Sequence, residues 1–123
     1  MVDKIPGDQR ILIVEDEAMI AMLIEDMLDE LGCVAVGPAY NAKQALELIE
    51  AGRFDAAILD VNLGGQRTTP VAESLASKGI PFCFATGYGR GGLTEEFGKH
   101  IVLTKPFNQR DLEGALRRLI CSR

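Results

Sequence analysis

Charged side chains stand at the ends of three apolar runs in this chain. ILIVED closes on Glu15 and Asp16, AAILD on Asp60, and IVLTKP on Lys105 and Pro106. A continuous Val/Ile/Leu run is what a parallel strand buried on both faces requires, and the carboxyl ends of such strands open onto the crevice where open α/β sheets hold ligands. If the three runs lie side by side, three carboxylates and one ammonium meet in one place. Carboxylates crowded together repel one another unless a cation sits among them. The pattern therefore asks for a divalent metal, and it leaves one carboxylate as an acceptor of chemistry.

The elements that must position these groups follow from periodicity and punctuation. Residues 10–15 read as a first strand. From Glu17 to Leu31, Ile20, Leu23, Ile24, Met27, Leu28 and Leu31 recur at helical spacing, and Gly32 ends that helix. CVAVGPA reads as a second strand stopped by Pro38, and Asn41 caps a second helix through Ala45, Leu46 and Ile49 to Gly52. FDAAILD is a third strand, VNLGGQRTT a loop. Thr69 as a cap before Pro70 starts a third helix that runs to Lys78 and stops at Gly79. PFCFAT and HIVLT are the fourth and fifth strands, and Asn108 with Asp111 opens a last helix whose Leu112, Leu116, Leu119 and Ile120 face inward. Between Thr86 and Lys105, Gly87, Gly89, Gly91, Gly92 and Gly98 each cost a helix roughly 1 kcal/mol relative to Ala, so LTEEF makes at most a turn or two. Strands alternating with helices give an α/β fold, a parallel five-stranded sheet with helices on both faces. Residues 1–9 form a flexible lead-in, and 10–123 a single domain.

Composition narrows the function classes. The chain has 123 residues, 47% hydrophobic and 25% charged, with 18 acids against 13 bases for a net charge of −5. An acidic balance argues against nucleic acid or anionic membrane as partner. Cys33, Cys83 and Cys121 are odd in number and widely spaced, which suits free thiols in a reducing compartment. With no CxxC and only His100, a zinc site is not expected. No run is long enough to span a bilayer and no signal-peptide apolar region is seen, so the expectation is a cytoplasmic protein.

The acidic pair, the lone strand-end Asp, the Thr and the Lys-Pro, in this order and spacing, resemble the receiver domain of two-component response regulators, over roughly Arg10 to Cys121. The resemblance implies a flavodoxin-like, doubly wound sheet of order 2-1-3-4-5. It makes Asp60 the residue phosphorylated on its carboxylate. It makes Glu15, Asp16 and Asp60, with the backbone carbonyl of Asn62, the holders of Mg²⁺ or Mn²⁺, Asp16 binding directly and Glu15 through water. Thr86 becomes the hydroxyl that turns toward the phosphoryl group and Lys105 its ammonium partner, with the Lys105–Pro106 bond cis. The chemistry agrees with those roles. Mg²⁺ takes a few carboxylates with water and phosphate oxygens in octahedral array. A transferring phosphoryl group spreads charge over oxygens that a metal, an ammonium, a hydroxyl and N–H groups stabilise, and a carboxylate is an adequate nucleophile.

Each residue taken alone has a plainer role. Asp60 could be a strand-end acid in a turn, Thr86 a β-branched strand residue, Lys105 a solvated surface lysine, Asn62 a turn residue, Glu17 a first-turn acid favoured by the helix dipole and His100 a strand-edge residue. The chain also departs from the usual receiver pattern. Val102 stands three positions before the lysine, where receivers carry an aromatic rotor, and the glycine-rich segment replaces a full helix before the last strand. With FATGYG, these features resemble the FAT GUY subgroup, although Tyr88 stands one residue nearer the glycine than in that motif. Tyr88 and Pro106 are then contributors to switching, with segment 87–99 ordering on phosphorylation. The implied partners are a sensor histidine kinase of the HWE or HisKA2 type and a histidine phosphotransfer domain or downstream protein, and the expected state is a monomer. The function expected is a single-domain response regulator, not a turnover enzyme, acting by protein contact, phosphorelay or as a phosphate sink. A phosphorylation-independent interaction module is the alternative. A free-standing aspartyl phosphatase is disfavoured, because DVN lacks the second acid of a DxD pair and no cap segment exists.

Overall fold

The computed structural model describes residues 7–63, 66–87 and 101–120. In chain order the elements are β1 (Arg10–Val14), α1 (Ala18–Glu30), β2 (Val34–Ala39), α2 (Ala42–Ala51), β3 (Ala56–Asp60), β4 (Asn62–Leu63), β5 (Gln66–Arg67), α3 (Thr69–Ser77), β6 (Phe82–Thr86), β7 (Val102–Thr104) and α4 (Gln109–Ile120). Five strands form one parallel sheet in the order β2-β1-β3-β6-β7, which is 2-1-3-4-5 counted along the sheet's own strands. The fold class read from the sequence is the one observed.

The three central strands are buried on both faces, which is why they read as unbroken apolar runs rather than alternating ones. Ile11, Ile13, Ile58, Cys83 and Ala85 pack under α1 and α4, against Ala21, Ile24, Leu28, Leu112, Ala115 and Leu116. Leu12, Val14, Ala57, Leu59, Phe82 and Phe84 pack under α2 and α3, against Ala45, Ile49, Val71, Ala72 and Leu75. The Phe82 and Phe84 rings meet edge to face, centroids 5.5 Å apart. Cys33 and Cys83 are buried free thiols; Cys121 lies outside the described residues. Among the described residues no helix is long and apolar enough to cross a membrane.

Several boundaries differ from the sequence reading, each for a physical reason. Pro38 does not stop β2. The strand runs through a cis Gly37–Pro38 bond to Ala39, and its register against β1 shifts between Leu12 and Val14, the mark of a bulge. β2 is an edge strand, and a proline without an N–H is tolerated there and at bulges. On α1, Ala21, Ile24 and Leu28 are the buried positions, whereas Leu23 is exposed, because it lies on the flank of the helix beyond the stripe facing the sheet. Glu17 occupies the N-cap position rather than the first turn. The loop after β3 contains a short antiparallel ribbon that pairs Asn62 with Arg67 and Leu63 with Gln66. α3 begins at Thr69 itself, so the residue in front of the helix is Thr68 and not Thr69.

The caps read from the sequence at α2 and α4 are present. Asn41 Oδ1 accepts from Gln44 N–H at 2.8 Å. Asn108 and Asp111 bond each other's backbone N–H reciprocally, at 2.8 and 3.2 Å. The segment expected to make a turn around LTEEF, together with Tyr88, His100 and the proposed ordering of 87–99, lies outside the described residues beyond Gly87.

Candidate functional site

Strand register decides which side chains meet. Val14 is level with Leu59, Asp60 with Ala85, and Thr86 with Thr104, so the residues one step further on emerge together at the carboxyl edge of the sheet. Backbone bonds carry the ladder past the strand ends: Glu15 N–H donates to Ala39, Val61 N–H to Ala85 and Lys105 N–H to Thr86 carbonyls, at 3.0, 3.1 and 2.8 Å. Glu15, Asp60, Thr86 and Lys105 are therefore held by main-chain geometry and not only by their side chains.

One carboxylate oxygen from each of Glu15, Asp16 and Asp60 lies within 4.8 Å of the others. Glu15 is 1% and Asp60 6% exposed. The Lys105 ammonium reaches Glu15 Oε1 at 2.6 Å and Asp60 Oδ1 at 3.4 Å. Burial by itself pushes the Lys105 pKa down, but the hydrogen bond to Glu15 and the charges of Asp60 and Glu15 outweigh it, so the group sits above the ordinary lysine value and stays charged. The second Glu15 oxygen takes Glu17 N–H at 3.2 Å. Both Glu15 oxygens are thus engaged. Three carboxylates against one ammonium leave two negative charges in a largely buried spot, and hard oxygen donors with that surplus fit Mg²⁺.

Of the residues singled out from the sequence, Glu15, Asp16, Asp60 and Lys105 come together and Thr86 stands buried on the neighbouring strand. Asn62 follows Asp60 at the start of the β4–β5 ribbon, and the Lys105–Pro106 bond is cis. One residue was missed. Thr68, 5% exposed, donates its hydroxyl to the carbonyl of Asp60 at 2.6 Å and reaches that of Val61 at 3.1 Å. The only sequence signal was a second threonine before Thr69-Pro70, and a hydroxyl in front of a helix ordinarily reads as a cap.

The sequence matches the response regulator receiver domain over residues 11–117. The chain belongs to the response regulator receiver domain family. As a receiver domain it is a phosphoacceptor of two-component signalling with an acidic Mg²⁺ site, not an enzyme that turns over substrate. It is 37% identical over 112 residues to the transcriptional regulatory protein PdtaR of Mycobacterium tuberculosis, an alignment covering 88% of this receiver domain and 55% of PdtaR. The chain thus spans about half the length of that relative. The solution structure of SdrG from Sphingomonas melonis Fr1 superposes with a TM-score of 0.84 at 46% identity, covering 94% of this chain and 98% of SdrG. The BeF3-activated conformation of SdrG, from Pseudomonas melonis Fr1, superposes with a TM-score of 0.76 at 44% identity, covering 94% of this chain and 99% of that one.

Proposed function

We propose that this receiver domain, residues 10–123, works as a single-domain response regulator that takes a phosphoryl group from a sensor histidine kinase onto Asp60. The observation that carries the reading is the Asp60 carboxylate, placed with those of Glu15 and Asp16 and 3.4 Å from the Lys105 ammonium. In the transfer an Asp60 oxygen attacks phosphorus, the bond from phosphorus to the donor's histidine nitrogen breaks, and that nitrogen keeps the electron pair. Asp16, Asp60 and the Asn62 carbonyl, with Glu15 through water, would hold Mg²⁺, which would supply positive charge to the phosphoryl oxygens. Lys105 supplies a fixed ammonium to another of those oxygens, and the Thr86 hydroxyl turns toward the product.

The finer assignment, to the FAT GUY subgroup with a kinase of the HWE or HisKA2 type, is supported by FATGYG, Val102 at the rotor position and the glycine-rich stretch after Thr86. The likeness to SdrG, a protein with a BeF3-activated conformation, supports phosphorylation as the trigger. Output then proceeds by protein contact, relay to a histidine phosphotransfer domain or drainage of the kinase. Acetyl phosphate with Mg²⁺ is the test. A base-labile phosphoprotein lost in Asp60→Asn is expected. An unlabelled wild type would refute the acceptor assignment and point to an interaction module that works without phosphate.

A further inference from the structure

We propose that Thr68 is a positioning residue for the acceptor end of β3: its hydroxyl holds the turn after Asp60 so that the Asp60 carboxylate and the Asn62 backbone carbonyl face one cation. The inference deepens the reading of Asp60 as phosphoacceptor and rests on it. Thr68 occupies the position in front of α3, where a threonine ordinarily accepts a hydrogen bond from the first-turn N–H groups of its own helix. It does not do so here. Its backbone is already helical, φ −84° and ψ −12°, and its side chain makes no cap bond. Pro70 in the first turn has no N–H to satisfy, which lessens the need for such a cap. The hydroxyl instead points back across the chain to the carbonyls of Asp60 and Val61, at 2.6 and 3.1 Å.

Those two carbonyls lie where the sheet lets go of the chain. Pairing of β1 with β3 ends at Val14 and Leu59, and the last rung toward β6 is Val61 N–H to the Ala85 carbonyl. Asn62 then enters the β4–β5 ribbon. Thr68 clasps the backbone on this stretch, between the acceptor carboxylate and the Asn62 carbonyl. The clasp is anchored, because α3 is fixed in the core through Val71, Ala72 and Leu75. It is also neutral, so it fastens the backbone without altering the charge of a site that already holds three carboxylates. Partners that orient metal-binding groups typically change metal affinity by about 10–100-fold when removed.

The test compares Thr68→Val, which keeps shape and removes the hydroxyl, with Thr68→Ser, which keeps the hydroxyl. Mg²⁺ affinity is measured by calorimetry, labelling rate with acetyl phosphate, and metal-free melting temperature alongside. T68V is expected to bind Mg²⁺ about tenfold more weakly and to label correspondingly slower, while T68S stays near wild type in both. T68V with unchanged Mg²⁺ affinity and labelling overturns the proposal, even if its melting temperature falls, and so does T68S weakened as much as T68V. If T68V does not fold, T68A and T68S are compared instead, and equal Mg²⁺ affinities in those two overturn it. Wild type labelled and D60N unlabelled, with T68V unchanged, counts against this inference alone. Labelling that survives in D60N counts against the acceptor assignment.

Discussion

Glu15 shows what the site demands of single side chains. A carboxylate this buried persists only with partners, and it has two, the Lys105 ammonium and the Glu17 N–H. With both oxygens occupied it works as the anchor for Lys105, which also reaches Asp60, and the three carboxylates against one ammonium leave the cluster two negative charges in excess. Asp60→Asn should therefore act in opposite directions with and without metal. Without Mg²⁺ it relieves like-charge repulsion on the order of 1 kcal/mol, about 4 °C in melting temperature. With Mg²⁺ the variant should gain less than wild type; a D60N protein that melts lower than wild type in chelator would contradict this. Cys83 sets a second expectation. Burial pushes its thiol up to about 12, with a smaller opposing contribution from a backbone hydrogen bond. The folded thiol keeps its proton while the unfolded one, near 9, loses it. The unfolded state then binds fewer protons, so stability is intact below pH 9 and falls from there toward 12, on the order of 1 kcal/mol per pH unit. Cys83→Ala should flatten the fall in urea midpoint over that range, and an equally steep profile in the variant would refute it. The chemistry-bearing residues at strand ends were legible because strand periodicity fixes where they emerge. Thr68 was not, because its role depends on which way a hydroxyl turns.

At the scale of elements, Pro38 and Leu23 mark the limits of pattern reading. A proline is a reliable breaker of central strands, but β2 is an edge strand with a bulge, and neighbour order is a tertiary fact. Gly37 makes that bulge possible. Its φ is +98°, and an added Cβ would come within 2.9 Å of Ala39 N and 3.1 Å of Ile13 O, both backbone atoms that cannot swing aside. Gly37→Ala should lower stability by about 2 kcal/mol or more in urea unfolding, and an unchanged midpoint would show that β2 can shed its bulge. α1 carries the opposite lesson. Its helical spacing was legible, but Leu23 at 57% exposed faces outward with Met19 at 79% and Met22 at 61%. Ile20, Leu23, Ile24 and Met27 line an apolar groove with Lys105, Pro106 and Phe107. Lys105 borders both the groove and the acidic site, so if a donor protein brings a phosphohistidine to Asp60, this groove is the surface expected to seat it. Leu23→Lys should slow phosphotransfer from a protein donor about tenfold, the loss of one well-buried apolar contact, and leave labelling by acetyl phosphate unchanged. Equal loss with both donors would place the defect in the site itself.

For the molecule as a whole, fold and site are one construction. The parallel sheet was legible because strands and helices alternate strictly and crossovers have one hand, whereas the order of its strands came from the family resemblance. The same topology forces the ends of β1, β3, β6 and β7 to one edge, so a stable sheet and a crowded acidic cluster arise together. Folding without metal must then overcome the repulsion among Glu15, Asp16 and Asp60, which Lys105 offsets only in part. The unfolded chain holds no such cluster, so Mg²⁺ binds the folded state selectively and stabilises it by mass action, about 2.7 kcal/mol at a hundredfold excess over its dissociation constant. General screening by salt also weakens the repulsion, so the comparison is made at matched ionic strength with NaCl. The expected result is a melting temperature raised by Mg²⁺ beyond the NaCl control and returned by chelation. The rise should shrink in Asp16→Asn and Asp60→Asn and persist in Leu23→Lys, whose side chain lies on the outer flank of α1. A rise of equal size in all three variants would place the bound cation elsewhere on this acidic molecule.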